Sequence, residues 1–177
     1  MTQIFSDDGE VTPVTIIESL GVEFVQRISE EKRGYSAVQC KIKIRKREKL
    51  IEVRSSENDF AEMKQGDKFN EDQFSIGDKV SVVGVSKGKG FAGTIKRYGF
   101  SRGPMSHGSN QQRRVGSIGS AYPQHVMKGQ KMPGRMGNSR VTVKNLTIVD
   151  VDNKNHLILV SGAVPGSRGS QIKVISE

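Results

Sequence analysis

Residues 86–140 read SKGKGFAGTIKRYGFSRGPMSHGSNQQRRVGSIGSAYPQHVMKGQKMPGRMGNSR. This stretch holds eleven Lys or Arg, eleven Gly, four of the six Met and two of the three His, and it contains neither Asp nor Glu. The acid-free window widens to Lys79 through Val149, 71 positions with thirteen cations, while the other 106 residues carry fifteen basic and all nineteen acidic groups. Charge is therefore segregated along the chain. A segment so rich in Gly and so poor in branched apolar residues buries too little surface to offset the entropy of ordering it, so a partner is expected to order it. Cations without local counter-charge point to a polyanion, whose condensed ions are released on binding.

Outward from this stretch, the 177 residues with 34% apolar content suffice for one modest core, built from about half the length once the basic segment is set aside. Cys40 has no second cysteine to pair with, and His107, His125 and His156 lack zinc-ligand spacing. A reducing cytoplasm fits this usage. No apolar run reaches the roughly 18 residues of a spanning helix, and MTQIFSDDGE lacks the order of a secretion signal, so no membrane partner is expected.

Upstream, Thr12 to Ile17 reads as a strand in which Pro13, with no N–H to donate, suits an edge or the strand's first positions. Val22 to Ile28 reads as a strand with Val22, Phe24 and Gln26 on one face. Tyr35 to Ile44 is the clearest strand, with Val38, Cys40, Ile42 and Ile44 facing a core and Gln39, Lys41, Lys43 and Arg45 facing water. Arg45 to Lys49 reads as a solvated turn, Leu50 to Arg54 as a strand, and Glu57 to Lys64 as a short helix. Gly66-Asp67 and Gly77-Asp78 are turn dipeptides, the second opening the run Val80, Val82, Val83 and Val85. Downstream, Arg140 to Val151, His156 to Ser161 and Gln171 to Ile175 read as strands, with Asp152 to Asn155 as a turn. Short strands at roughly ten-residue spacing with little helical periodicity predict a mainly β fold, a small closed β-barrel. Residues 1–85 and 141–177 are expected to form it, and 86–140 to be a long, basic, Gly-rich excursion inserted in it.

Gly88-Lys-Gly90-Phe-Ala-Gly93 matches the dinucleotide fingerprint, but no amphipathic helix follows, and after Gly93 the next acidic residue is Asp150. No P-loop pattern occurs. His107 and His125 have neither an acid to orient them nor a cysteine to activate, so no catalytic pair is assembled locally. Each reads as a hydrogen-bonding or stacking group on nucleic acid, or as a surface side chain. Neither an enzyme activity, nor a cofactor, nor a metal, nor a small-molecule substrate is expected. Phe91, Tyr98, Phe100 and Tyr122 are too few for a single-strand stacking platform.

The words of the segment resemble one family. Gly84-x-Ser86-Lys-Gly-Lys-Gly-Phe91, Gly93-x-Ile95-Lys-Arg97, Arg102-Gly-Pro104, Ser106-His-Gly-Ser109, Gly116-Ser-Ile-Gly119, Lys128-Gly129-x-Lys131-Met-Pro-Gly-x-Met136-Gly-Asn138 and Arg140-Val-Thr-Val143 follow one another as in ribosomal protein three of the large subunit, bacterial branch. Met1-Thr-x-Ile-Phe5, Gly34-Tyr-x-Ala-Val-Gln39 and Gly162-Ala-Val-Pro-Gly166 resemble the same family, so the likeness spans nearly the whole chain.

The resemblance implies a translation-protein type of β-barrel and an extended loop that enters the large rRNA towards the peptidyl transferase centre. It also implies direct rRNA binding early in assembly, neighbours in ribosomal proteins fourteen and nineteen, and a cytoplasmic place in the ribosome. Carried over by motif, the rRNA-binding residues are Lys87, Lys89, Lys96, Arg97, Arg102, His107, Arg113, Arg114, Lys128, Lys131, Arg135 and Arg140. The loop tip comprises Gly116, Ser117, Ile118, Gly119 and Tyr122. Family members usually carry an additional opening strand and a longer insert between the positions of Cys40 and Leu50. After Gly119 they often have a Gln-bearing run, methylated in some bacteria, where this chain has Ser120-Ala-Tyr122. A free-standing RNA chaperone with a basic arm is the alternative reading.

Overall fold

The computed structural model describes residues 1–6, 9–28, 30, 34–44, 47–54, 64–69 and 73–176. Its strands are β1 (Thr2–Phe5), β2 (Val11–Glu18), β3 (Val22–Ile28), β4 (Ala37–Ile44), β5 (Arg47–Arg54), β6 (Lys68–Phe69), β7 (Lys79–Val85), β8 (Phe91–Ala92), β9 (Gly134–Arg135), β10 (Arg140–Asp152), β11 (Leu157–Ser161) and β12 (Ile172–Ser176), with one short helix, α1 (Thr94–Tyr98), between β8 and β9. Six strands pair in the order β1-β2-β11-β10-β7-β12, four in the order β5-β4-β3-β6, and β8 with β9. The fold is mainly β, as the alternation predicts. Among the described residues, however, no sheet closes on itself: β1 and β12 are the edges of the larger sheet, β5 and β6 those of the smaller. Strand spacing does not determine which edges meet, and the closed barrel expected from it is not seen among the described residues.

The chain divides into two compact units, one of Met1–Ser81, Lys144–Val164 and Val174–Glu177, the other of Val82–Val143 and Pro165–Lys173. In the first unit Val14, Val80, Ile148 and Val160 are fully buried, and a second cluster gathers Phe24, Val38 and Cys40 with Val22, Ile51 and Phe69 against it. The β4 alternation holds, with Val38, Cys40 and Ile42 buried and Lys43 exposed. Strand β3 departs from strict alternation. Phe24 pairs with Cys40 but Gln26 with Gln39, so a bulge at Val25 turns Gln26 to the wet side, where its Nε2 donates to Gln39 Oε1 at 2.8 Å. In β7, Val80 to Gly84 are all buried, Ser81 included, as in an interior strand covered on both faces.

Pro13 does not mark an edge; it stands third in β2, among the strand's first positions. β1 covers β2 on that side with Gln3 opposite Pro13, while the Pro13 carbonyl accepts the Gly162 N–H at 2.8 Å. The turn expected at Arg45 to Lys49 is in part strand, since Arg47 to Lys49 belong to β5 and Lys41 pairs with Glu48 at 2.8 Å. All but Lys64 of the helix expected at Glu57 to Lys64 lies outside the described residues.

The two Gly-Asp turns share one construction. Gly66 and Gly77 hold φ of 96° and 93°, and the Asp67 and Asp78 carboxylates accept the N–H of Lys64 at 2.7 Å and of Ser75 at 2.8 Å. The second turn is tied to β10 by reciprocal backbone bonds of 2.9 Å, Gly77 N–H to Ile148 O and Ile148 N–H to Asp78 O. At the β10–β11 turn the Asn155 side-chain amide, then the Asn155 and Lys154 N–H groups, hold the Asp152 carboxyl below its ordinary pKa. That contribution is present above the ordinary carboxylate pKa and fades as pH falls through the lowered one.

Ile148 is 1% exposed and sits where the Gly77-Asp78 turn meets β10. Ile148→Ala should lower unfolding stability by about 2–5 kcal/mol and Ile148→Val by about 0.5–1.5 kcal/mol, read as a shift of the urea midpoint at constant m. A loss below about 1 kcal/mol for the Ala variant would show that this junction is not part of the cooperative core.

Candidate nucleic-acid interface

The acid-free segment begins and ends in a neck that its own backbone holds shut. Ser86 N–H donates to Ser139 O at 2.9 Å and Asn138 N–H to Ser86 O at 3.1 Å. Two steps on, Lys89 N–H donates to Met136 O and Met136 N–H to Gly90 O, both at 2.9 Å. β8 then pairs with β9, Phe91 opposite Arg135 and Ala92 opposite Gly134. The limbs run this close because of glycine. At Gly137, with φ of 72°, a Cβ would overlap the carbonyl of Lys87. A partner was expected to order the whole segment, yet the neck is internally bonded. The missed signal is Gly137, whose missing Cβ admits the Lys87–Gly88 backbone beside it.

Beyond the neck, α1 follows Gly93 and ends at Gly99, whose φ of 73° supplies the left-handed cap and whose N–H donates to Ile95 O. Gly103 N–H donates to Gln112 O at 3.1 Å and Gln112 Nε2 to Met105 O at 3.0 Å, closing a smaller loop around His107. At the sequence-predicted tip, Ser117 Oγ donates to Gly119 O at 2.9 Å and Ser120 Oγ to Tyr122 O at 2.6 Å, and the Tyr122-Pro123 peptide is cis. Gly116 has φ of 81°, as expected of a glycine kept for a left-handed turn; Gly119 does not, and a Cβ there would meet nothing within 4 Å. The tip is held by hydroxyl-to-carbonyl bonds that the Gly pattern alone does not reveal.

Of the eleven cations, ten are exposed: Lys87, Lys89, Lys96, Arg102, Arg113, Arg114, Lys128, Lys131, Arg135 and Arg140. His107 is exposed as well, with φ of 58°. None of these cations is held by a carboxylate among the described residues, so their field is directed outwards uncancelled. Arg97 differs. It is half-buried, and its Nη1 donates to Met132 O at 2.9 Å. Between the cations lie apolar groups open to solvent, with Phe91 79% and Tyr122 85% exposed and Met105, Ile118, Val126 and Met127 beside them in the sequence. Such a surface offers point charges for phosphates and apolar faces for bases.

No group of three or more His, Cys, Asp or Glu that could hold a metal occurs among the described residues. The GKGFAG motif lies in the neck and β8 and leads into the five-residue α1, where the dinucleotide fold needs a long helix. Among the described residues no helix is long and apolar enough to cross a membrane.

Comparison with known proteins agrees with this reading. The family model described as ribosomal protein L3 matches residues 39–158. A "Large ribosomal subunit protein uL3" from Carboxydothermus hydrogenoformans is 44% identical over 189 residues, covering 96% of this chain and 90% of its own. The proteins of the same name from Exiguobacterium sibiricum (44% identical, 98% and 91% covered) and Heliobacterium modesticaldum (45%, 95% and 88%) are similar to the same extent. Matched by its family model over more than half its length and by relatives over nearly all of it, the chain belongs to the ribosomal protein L3 family, structural proteins of the large ribosomal subunit and not enzymes.

Proposed function

We propose that this protein binds the large rRNA directly and early in assembly, from a cytoplasmic ribosome, and that residues 86–140 are its rRNA-penetrating extension. Residues 1–85 and 141–177 form the body that seats it, beside ribosomal proteins fourteen and nineteen. The observation that carries this reading is the arm itself, ten exposed cations and no acid on a loop whose neck is closed by its own backbone. Lys87, Lys89, Lys96, Arg102, His107, Arg113, Arg114, Lys128, Lys131, Arg135 and Arg140 supply the phosphate and sugar contacts. Gly116 to Tyr122, which contains no Lys or Arg, acts by shape near the peptidyl transferase centre. The protein should remain stoichiometric in large subunits after a high-salt wash. Release into the wash would favour a free-standing RNA chaperone.

Placement of charge, and not its total, should govern affinity. Arg113→Ala with Arg114→Ala should lower the log–log salt slope of binding to an rRNA fragment by about 0.7–0.9 for each phosphate left without its cation. Lys41→Ala with Lys43→Ala should change it far less, since Lys41 already pairs with Glu48 on a strand of the body. Equal changes from the two pairs would mean that net charge alone carries binding.

The tip can be tested without disturbing the anchors. A Cβ at Gly119 meets nothing within 4 Å inside the chain, so the collision expected of Gly119→Val is with the partner. Subunits should incorporate the variant normally by mass spectrometry, yet show altered peptide-bond formation or altered binding of a centre-directed antibiotic. Normal incorporation with both functions unchanged would place the tip away from the catalytic RNA.

A further inference from the structure

Arg97 is carried by α1 on the outgoing limb, and its guanidinium reaches back to the returning one. Nη1 donates to the carbonyl of Met132, 35 positions away in sequence, at 2.9 Å. The guanidinium carbon lies 5.0 Å from the centroid of the Tyr98 ring, and Lys131 Nζ, from the returning limb, lies 5.7 Å from the same ring. Phe100 flanks Tyr98 with its centroid 6.2 Å away. Space for the guanidinium is left by Gly134, where a Cβ would come within 2.6 Å of Nη1. One side chain thus spans both limbs, and a missing side chain opposite makes room for it.

The choice of groups follows from the charge pattern. Two cations converge on this point in a segment without a single acid, and a carboxylate placed between them would cancel part of the field that draws in a polyanion. A carbonyl and an aromatic face hold cations without adding net charge. We propose that Arg97 is a positioning residue of the arm: bonded to the Met132 carbonyl, stacked on Tyr98 and accommodated by Gly134, it latches the two limbs so that the exposed cations meet RNA as a pre-formed surface. The latch rests on the rRNA-binding reading only for its effect on affinity; its effect on the free protein does not depend on that reading.

Gly134→Ala offers a test that removes no charge. The added Cβ displaces the guanidinium, while the φ of residue 134 is one an Ala accepts. The full-length protein and its Arg97→Ala, Arg97→Lys, Gly134→Ala and Lys96→Ala variants are compared by hydrogen exchange at the Lys89 and Met136 amides and by the salt dependence of binding to a large-subunit rRNA fragment. Arg97→Ala and Gly134→Ala should each speed neck exchange on the order of tenfold and weaken RNA binding by about three- to tenfold at unchanged salt slope. Combining them should add little further effect, because both remove one latch. Arg97→Lys keeps the charge but not the planar fork, and should leave neck exchange fast. Lys96→Ala, on the exposed side of the same helix turn, should lower the slope by about 0.7–0.9 with the neck unchanged. A lowered slope for Arg97→Ala with unaltered exchange, together with a silent Gly134→Ala, would overturn the latch and make Arg97 an ordinary phosphate ligand. If the wild-type protein failed to bind the fragment, the rRNA-binding reading would fall, and the exchange data would still decide the latch.

Discussion

Closure of the neck between Ser86 and Ser139 is the constraint on which the rest depends. A long loop carrying ten like charges opposes its own closure, through chain entropy and through mutual repulsion. Backbone pairing at 86 with 138 and 139, at 89 and 90 with 136, and at 91 and 92 with 134 and 135 offsets both. Hydrogen bonds between peptide groups are neutral, so the limbs are joined without using any cation. The repelling charges are left on the outside, where a polyanion can take up the repulsion as attraction.

Glycine does several different things in this segment. At Gly137 it lets one backbone lie against the other, and at Gly103 it lets the Gln111 carbonyl approach to where a Cβ would stand at 2.8 Å. At Gly134 it makes room for a side chain. At Gly116 and Gly99 it supplies a left-handed residue that ends a local structure. Gly119 has none of these intrachain reasons: its φ is not left-handed and a Cβ there would meet nothing within 4 Å.

The body shows the same division between local and non-local causes. Two Gly-Asp turns of one design place the strands that follow them, and the second is fastened to β10 through Ile148, which is also among the most buried side chains. A turn, a ladder and a core residue coincide there. This is why a single methyl group at Ile148 is expected to matter more than a charge on the wet face of β4.

Local chemistry made much of this protein legible from its residues alone. The alternation Val38, Cys40, Ile42 marks β4, Gly77-Asp78 marks the entry to β7, and the absence of acid between Lys79 and Val149 marks the arm. These are properties of side chains and their immediate neighbours, and they survive without knowing what lies across space. Which strands pair could not be read in the same way. β1 covers β2 so that Pro13 lies inside the sheet, the bulge at Val25 turns Gln26 outward, and among the described residues no sheet closes into the expected barrel, because pairing depends on partners distant in sequence. Arg97 is the sharpest case. In sequence it is one more cation of the arm, and only the approach of Met132, Gly134 and Lys131 from the returning limb makes it a side chain held within the protein, since a carbonyl acceptor and a missing Cβ leave no mark in composition.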